Sequence, residues 1–227
     1  MVFNAVIYTY LQKVYIFLTY FIAPPYCLFC LADMQERQAL CSTCLMTMLP
    51  IVPYDFHIAK NKTLKVYAMS AYKDPLRKLI LSKHAGNIVP FKYVAQLMCK
   101  QSILQHIDFD VICFIPLHWT RYASRDFNQA EIIAQEIAAT TGKTLVPFLI
   151  RSKKTQFQAR LSVDERINNV KDAFTIDKRY EKQIAGKKIL LVDDLFTTGS
   201  TMKAAALVLY SHAPAKIDLF VACRVVQ

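Results

Sequence analysis

The sequence predicts an α/β fold, with a parallel sheet flanked by helices over residues 60–227 and a small metal-binding module ahead of it in residues 1–59. Three observations lead there. Four short, mostly apolar runs, VICFIPL (111–117), LVPFLI (145–150), KILLVDD (188–194) and KIDLFVACRVV (216–226), read as strands apolar on both faces, the pattern of a buried parallel sheet. Helical patterns alternate with them, and such alternation implies right-handed crossovers. One run, ILLVDDLFTTGST (189–201), ends in an acid pair followed by small hydroxyl residues, at the carboxyl edge where sheets of this kind bind ligands.

Taken in chain order, the apolar amino terminus comes first. Phe3, Val6, Tyr10, Val14, Phe17 and Phe21 recur at spacings of three and four, which predicts an amphipathic helix. Gln12 and Lys13 interrupt the run and no basic stretch precedes it, so it fits neither a membrane span nor an export signal. The expected location is cytoplasmic, with the helix packed on the protein itself, on a partner or on a membrane surface.

Cys27 with Cys30 (CLFC) and Cys41 with Cys44 (CSTC) form two Cys-x-x-Cys knuckles. Two residues between thiolates let one tight turn present both sulfurs to a single ion, and two turns complete a tetrahedral four-sulfur zinc site. The total of seven cysteines is odd and no signal peptide is evident, which argues against disulfides. Redox pairs rarely come doubled. With no open coordination position the zinc is expected to be structural, stabilising a stretch too short to own a core. Cys99, Cys113 and Cys223 lie in apolar contexts and read as core residues.

The rest of the chain is globular in composition, 54% hydrophobic and 20% charged, with a net charge of +11. Residues 60–83 carry seven basic side chains against one acid, and residues 151–188 carry eleven against five. Such stretches suit phosphates or nucleic acid, and equally a solvated lysine-rich surface. Tyr67, Tyr72 and Phe91, in or near the first of them, could stack on bases, though core packing is the ordinary duty of such rings. Ala130, Ile133, Ala134, Ile137 and Ala138 share a helical face that ends near Gly142, and STMKAAALVLYSH is rich in helix formers.

The loop between the third apolar run and that second helix carries the chemistry. The buried strand delivers Asp193 and Asp194 to the sheet edge, and the amides of Phe196, Thr197, Thr198, Gly199, Ser200 and Thr201 then face inward ahead of a helix. A phosphate in that cradle and two acids beside it describe ribose 5-phosphate, its hydroxyls donating to the carboxylates. The competing assignments are a metal-holding acid pair and a plain helix cap.

These thirteen residues resemble the phosphoribosyl pyrophosphate (PRPP) motif of type I phosphoribosyltransferases. With CLFC, CSTC, IPLHWTRYASRDFNQAEIIA (115–134) and RSKKTQFQARLSVDERINNVKDAF (151–174), nearly the whole chain resembles the ComF family of competence proteins. Asp126 stands where the family pattern has glycine, beside Arg125, Phe127, Asn128 and Gln129, and adds a negative charge near a site expected to hold pyrophosphate. The family's Thr-x-x-Gln and Arg-x-x-Asn elements are matched by Thr155 with Gln158 and Arg166 with Asn169. The resemblance implies a type I phosphoribosyltransferase-like domain that binds PRPP with magnesium. It also implies a pyrophosphate turn at Pro116, Leu117, His118 and Trp119, and a flap whose Lys153, Lys154, Arg160 and Arg166 could cover it. It implies as well a role in natural transformation, with other DNA-uptake proteins or the inner membrane surface as partners of the amino-terminal helix. Two functional readings stay open: a factor that handles single-stranded DNA and contacts a sugar phosphate, and an active phosphoribosyltransferase whose acceptor is a nucleobase, an amine or a DNA end.

Overall fold

A computed structural model describes residues 24–82, 88–100, 102–117, 127–152 and 173–226. The amino-terminal helix pattern therefore lies outside the described residues. The chain divides into two compact units, 1–47 and 48–227.

In the first unit the chain from Pro25 folds back on itself. Tyr26 bridges Asp33, and the amide of Cys27 donates to the carbonyl of Ala32 at 2.9 Å. Leu31, at φ 63°, closes that turn, its amide donating to the carbonyl of Cys27. The second knuckle opens helix α1 (Ser42–Met46), for which Cys41 is the N-cap.

The second unit is built on a six-stranded sheet. Its strands are β1 (Tyr54–Ala59), β2 (Lys62–Ala71), β3 (Val111–Phe114), β4 (Thr144–Leu145), β7 (Lys188–Phe196) and β8 (Lys216–Arg224), in the spatial order β1-β2-β8-β7-β3-β4. All neighbours run parallel except β1 and β2, which form an antiparallel hairpin. Helices α2 (Leu76–Leu81), α3 (Val89–Lys100) and the short α4 (Ser102–Gln105) carry the chain from β2 to β3, and α5 (Gln129–Thr141) links β3 to β4. Helix α6 (Ser200–Tyr210) links β7 to β8.

Ile189, Leu190, Leu191 and Val192 of β7 are all buried, as are the seven residues Ile217–Cys223 of β8. Strands covered on both faces are apolar along nearly their whole length, which is why the two runs show no alternation; Asp218, the acid within the β8 run, is paired with Lys216 at 2.7 Å. Met202, Ala205, Ala206 and Leu209 of α6 pack with Ile189, Leu191, Ile217 and Leu219 in one core layer. Each fully buried Leu or Ile contributes about 1.5–3 kcal/mol, which outweighs the propensity of any single residue.

Two expectations need amendment. LVPFLI does not form one parallel strand. Pro147 has no N–H to give a ladder, and the chain leaves the sheet there: β4 is two residues long, while β5 (Leu149–Arg151) pairs antiparallel with β6 (Phe174–Ile176) in a separate ribbon. In addition, the larger compact unit begins ahead of residue 60, because β1 hydrogen-bonds to β2 along Tyr54–Ala59. That hairpin, its turn made by Asn61 at φ 61°, is an element the apolar patterning did not announce.

Candidate functional site

Parallel register decides what meets at the carboxyl edge of the sheet. Phe114 of β3 pairs with Val192 of β7, and the amide of Ile115 donates to the carbonyl of Val192 at 3.0 Å. Pro116 and Leu117 therefore leave β3 at the level where Asp193 and Asp194 stand on β7, so the two stretches expected to share a site emerge on neighbouring strands. Asn128 ties the far end of the same connection back to the sheet. Its Nδ2 donates to the carbonyl of Ile115 at 3.0 Å, while its Oδ1 accepts from the amide of Ala130 and caps α5. His118, Trp119, Arg125, Lys153, Lys154, Arg160 and Arg166 lie outside the described residues.

Strand β7 runs on to Phe196, two residues beyond the expected end, because Leu195 and Phe196 still pair with Cys223 and Arg224. As consecutive strand residues, Asp193 and Asp194 project to opposite faces. Asp193 is half-buried and its Oδ1 accepts from the amide of Asp194 at 2.8 Å, while Asp194 is buried. Burial pushes the Cys223 thiol up, and the charge of nearby Asp194 pushes it further.

The loop proper is Thr197–Gly199. Thr197 is exposed, Thr198 half-buried, and Gly199 and Ser200 buried. The hydroxyls of Thr198 and Ser200 lie 2.7 Å apart, and the amide of Ser200 points at the Thr198 hydroxyl at 3.5 Å. Gly199 is the N-cap of α6 at φ 75° and offers no side-chain cap; the amide of Ser200, the first of the helix, meets the Thr198 hydroxyl instead.

Beneath Gly199 stand two phenyl rings, with Tyr54 packed against both. Phe56 and Phe196 meet edge to face at 5.2 Å and 89°, and Tyr54 meets Phe196 at 6.0 Å and 85°. Arg224 lies over the Tyr54 ring at 4.2 Å. The amide of Val225 donates to the carbonyl of Phe196 at 2.9 Å and pins the backbone at the loop's entrance. Sequence reasoning missed Tyr54, Phe56 and Arg224, and nothing local to them signals the contact. Asn128 did have a signal, a side-chain acceptor directly ahead of a helical pattern.

In the first unit, the sulfurs of Cys27, Cys30, Cys41 and Cys44 all lie within 4.8 Å of one another, and Cys30 and Cys41 are 3.8 Å apart. Tetrahedral sulfur ligands about 2.3 Å from a zinc ion sit about 3.8 Å from each other, so the donor set fits a four-thiolate ion. Burial pushes the Cys27 thiol up, but the amides of Cys30, Cys41 and Phe29, helped by the Cys30 thiol, outweigh it and hold Cys27 down to about 6. Cys44 is pushed up, first by burial and then by its three sulfur neighbours. Four thiolates this close repel unless a cation lies among them, and the cluster could hold a metal ion.

Residues 129–226 match the family model described as a phosphoribosyl transferase domain. Over 208 residues the chain is 28% identical to the DNA utilization protein YhgH of Salmonella typhimurium, an alignment covering 87% of this chain and 89% of that protein. It is 31% identical over 116 residues to YhgH of Escherichia coli strain K12, covering 51% of this chain and 49% of that protein. The likeness to YhgH of Salmonella typhimurium thus runs along most of both chains. A further likeness is to the adenine phosphoribosyltransferase of Chlorobaculum parvum, 32% identical over 118 residues, covering 52% of this chain and 58% of that enzyme. The mostly parallel sheet with flanking helices and the amino-terminal four-cysteine cluster of this chain agree with the fold class read from the sequence. Among the described residues no helix is long and apolar enough to cross a membrane.

Proposed function

We propose that this protein binds a ribose 5-phosphate group, free or as PRPP with magnesium, and that it works in handling single-stranded DNA during natural transformation. The observation that carries the reading is Gly199, held at φ 75° at the start of an eleven-residue helix, with the hydroxyls of Thr198 and Ser200 beside it and an acid pair near the carboxyl end of the strand before it.

In this reading the amides and hydroxyls of 197–201 take the phosphate, with the positive end of α6 behind them. Of the acid pair, whose side chains leave β7 on opposite faces, the half-buried Asp193 accepts directly from the ribose hydroxyls, and buried Asp194 adds negative charge behind them. Pro116 and Leu117 begin the turn that holds pyrophosphate on the neighbouring strand. The donors facing the ligand are carboxylate and hydroxyl oxygens, the ligand type that suits magnesium. Bound there, magnesium would neutralise pyrophosphate charge. The chain's own residues supply position, and holding the sugar in one pose is the larger part of what such a site contributes. In the amino-terminal unit the four thiolates hold zinc as a structural ion. The DNA role is supported by the naming of the YhgH relatives as DNA utilization proteins and by the net charge of +11.

Calorimetry with ribose 5-phosphate and with PRPP, each with and without magnesium, tests the site. Micromolar-range binding by the parent protein and loss of it in Asp193→Asn, Asp194→Asn is expected; equal affinity in both proteins would sink the assignment. DNA binding that weakens steeply with salt and shows little sequence preference is expected alongside. The likeness to an adenine phosphoribosyltransferase favours a second reading, in which the domain transfers phosphoribosyl to an acceptor. Pyrophosphate release from PRPP on adding a nucleobase, an amine or a DNA end would establish it.

A further inference from the structure

A β-carbon placed on Gly199 would stand 2.5 Å from Cζ of Phe56, 2.6 Å from Cζ of Phe196 and 2.8 Å from Cε1 of Phe56. Ring atoms never come that near a real β-carbon, so the loop backbone rests on the tips of two phenyl rings. Phe196 belongs to the strand that leads into the loop. Phe56 does not: it comes from β1, at the opposite end of the strand order from β3 and β4 and outside the residues matched by the transferase model. We propose that Phe56 is a positioning residue for the 197–201 loop, a buttress that the hairpin pushes under Gly199 to fix the height and tilt of the loop amides.

The buttress is itself braced. The edge-to-face contact with Phe196 fixes the Phe56 ring plane, Tyr54 packs against both rings from two residues away, and Arg224 covers Tyr54. Phe56 sits in register with Leu64, which is fully buried on β2, so the strand that carries the ring is anchored in the core. A loop whose only inward neighbour is a hydrogen atom can settle fully on such a floor. Its amides then point at one place, and a phosphate finds them already aligned rather than having to order them. The inference rests on the reading of 197–201 as a phosphate cradle, but the contact it uses does not.

The test exploits where the ring touches. The single atom that tyrosine adds to phenylalanine sits on Cζ, the atom nearest Gly199. Phe56→Tyr, ordinarily the mildest of exchanges at a half-buried position, should lift the loop, and Phe56→Leu should leave it unsupported. Both variants are expected to bind ribose 5-phosphate at least about tenfold more weakly than the parent. Their melting temperatures should stay within about 4 °C of the parent's. Tyr54→Phe keeps its ring in the same triad and should bind as the parent does. Hydrogen exchange of the amides of 197–201, measured without ligand, should speed up in Phe56→Tyr and Phe56→Leu and not in Tyr54→Phe. Parent-like affinity and exchange in Phe56→Tyr would overturn the buttress, and this variant decides alone if Phe56→Leu fails to fold. If the parent binds neither ribose 5-phosphate nor PRPP, the cradle reading falls, while the exchange rates still support or overturn the buttress.

Discussion

Gly199 and Gly142 share a backbone conformation, φ 75° and φ 68°, but not an environment. Nothing lies within 4 Å of a β-carbon built on Gly142, the αL residue that closes α5, whereas one built on Gly199 meets two phenyl rings. Gly142→Ala should therefore cost only the left-handed strain, about 1–2 kcal/mol. Gly199→Ala should add an overpacking term and reach about 2–4 kcal/mol. Denaturant midpoints of the two variants check this, and the difference between them isolates the ring contact. A midpoint for Gly199→Ala equal to that of Gly142→Ala would mean that the phenyl rings move aside freely.

At the level of elements, the two knuckles are the part of the molecule in which short stretches must hold themselves together. Cys27 and Cys30 lie on a turn closed by Leu31, and Cys41 and Cys44 on the start of a five-residue helix, a length that is marginal in isolation. The zinc proposed for the four sulfurs predicts that a chelator, or replacement of Cys41 with Ser, releases one equivalent of zinc and exposes residues 24–47 to protease while the sheet unit keeps its melting transition. Retention of zinc by Cys41→Ser would count against four-sulfur ligation. These knuckles were legible because the spacing of ligands along the chain is itself the geometry of the site. Strands β7 and β8 and helices α5 and α6 were legible for a similar reason: burial on both faces, or on one stripe, writes a period into the sequence. LVPFLI read wrongly because an apolar run does not say which partner it pairs with, and Pro147 settled that against the sheet. The β1–β2 hairpin carries polar and basic residues along much of its length and sits at one end of the strand order, so neither signal marked it. Of the candidate site, the acid pair and the hydroxyl loop were written in thirteen consecutive residues. Phe56 and Arg224 were not, since each acts through a contact that exists only once the sheet has formed.

Across the whole molecule, the residues that match the transferase model are not a self-sufficient half. They contain β7 and β8, yet β2 on one side of this pair and β3 on the other lie before residue 129. A fragment of 129–226 would expose the ladder edge of β8 along Asp218–Arg224 and that of β7 along Ile189–Val192, in two of the most apolar strands of the chain. It should aggregate or melt without a cooperative transition, and a fragment beginning at Met48 should fold; light scattering and thermal denaturation distinguish the two. The ring under Gly199 carries a separate consequence for descent. Because a β-carbon at 199 and the tip of the side chain at 56 compete for one volume, the two positions cannot drift independently, and a lineage that acquires any larger residue at 199 must first have surrendered the aromatic at 56. Covariation between two sites lying on opposite flanks of most of the chain is thus a historical signature that this contact should have left in homologous genes.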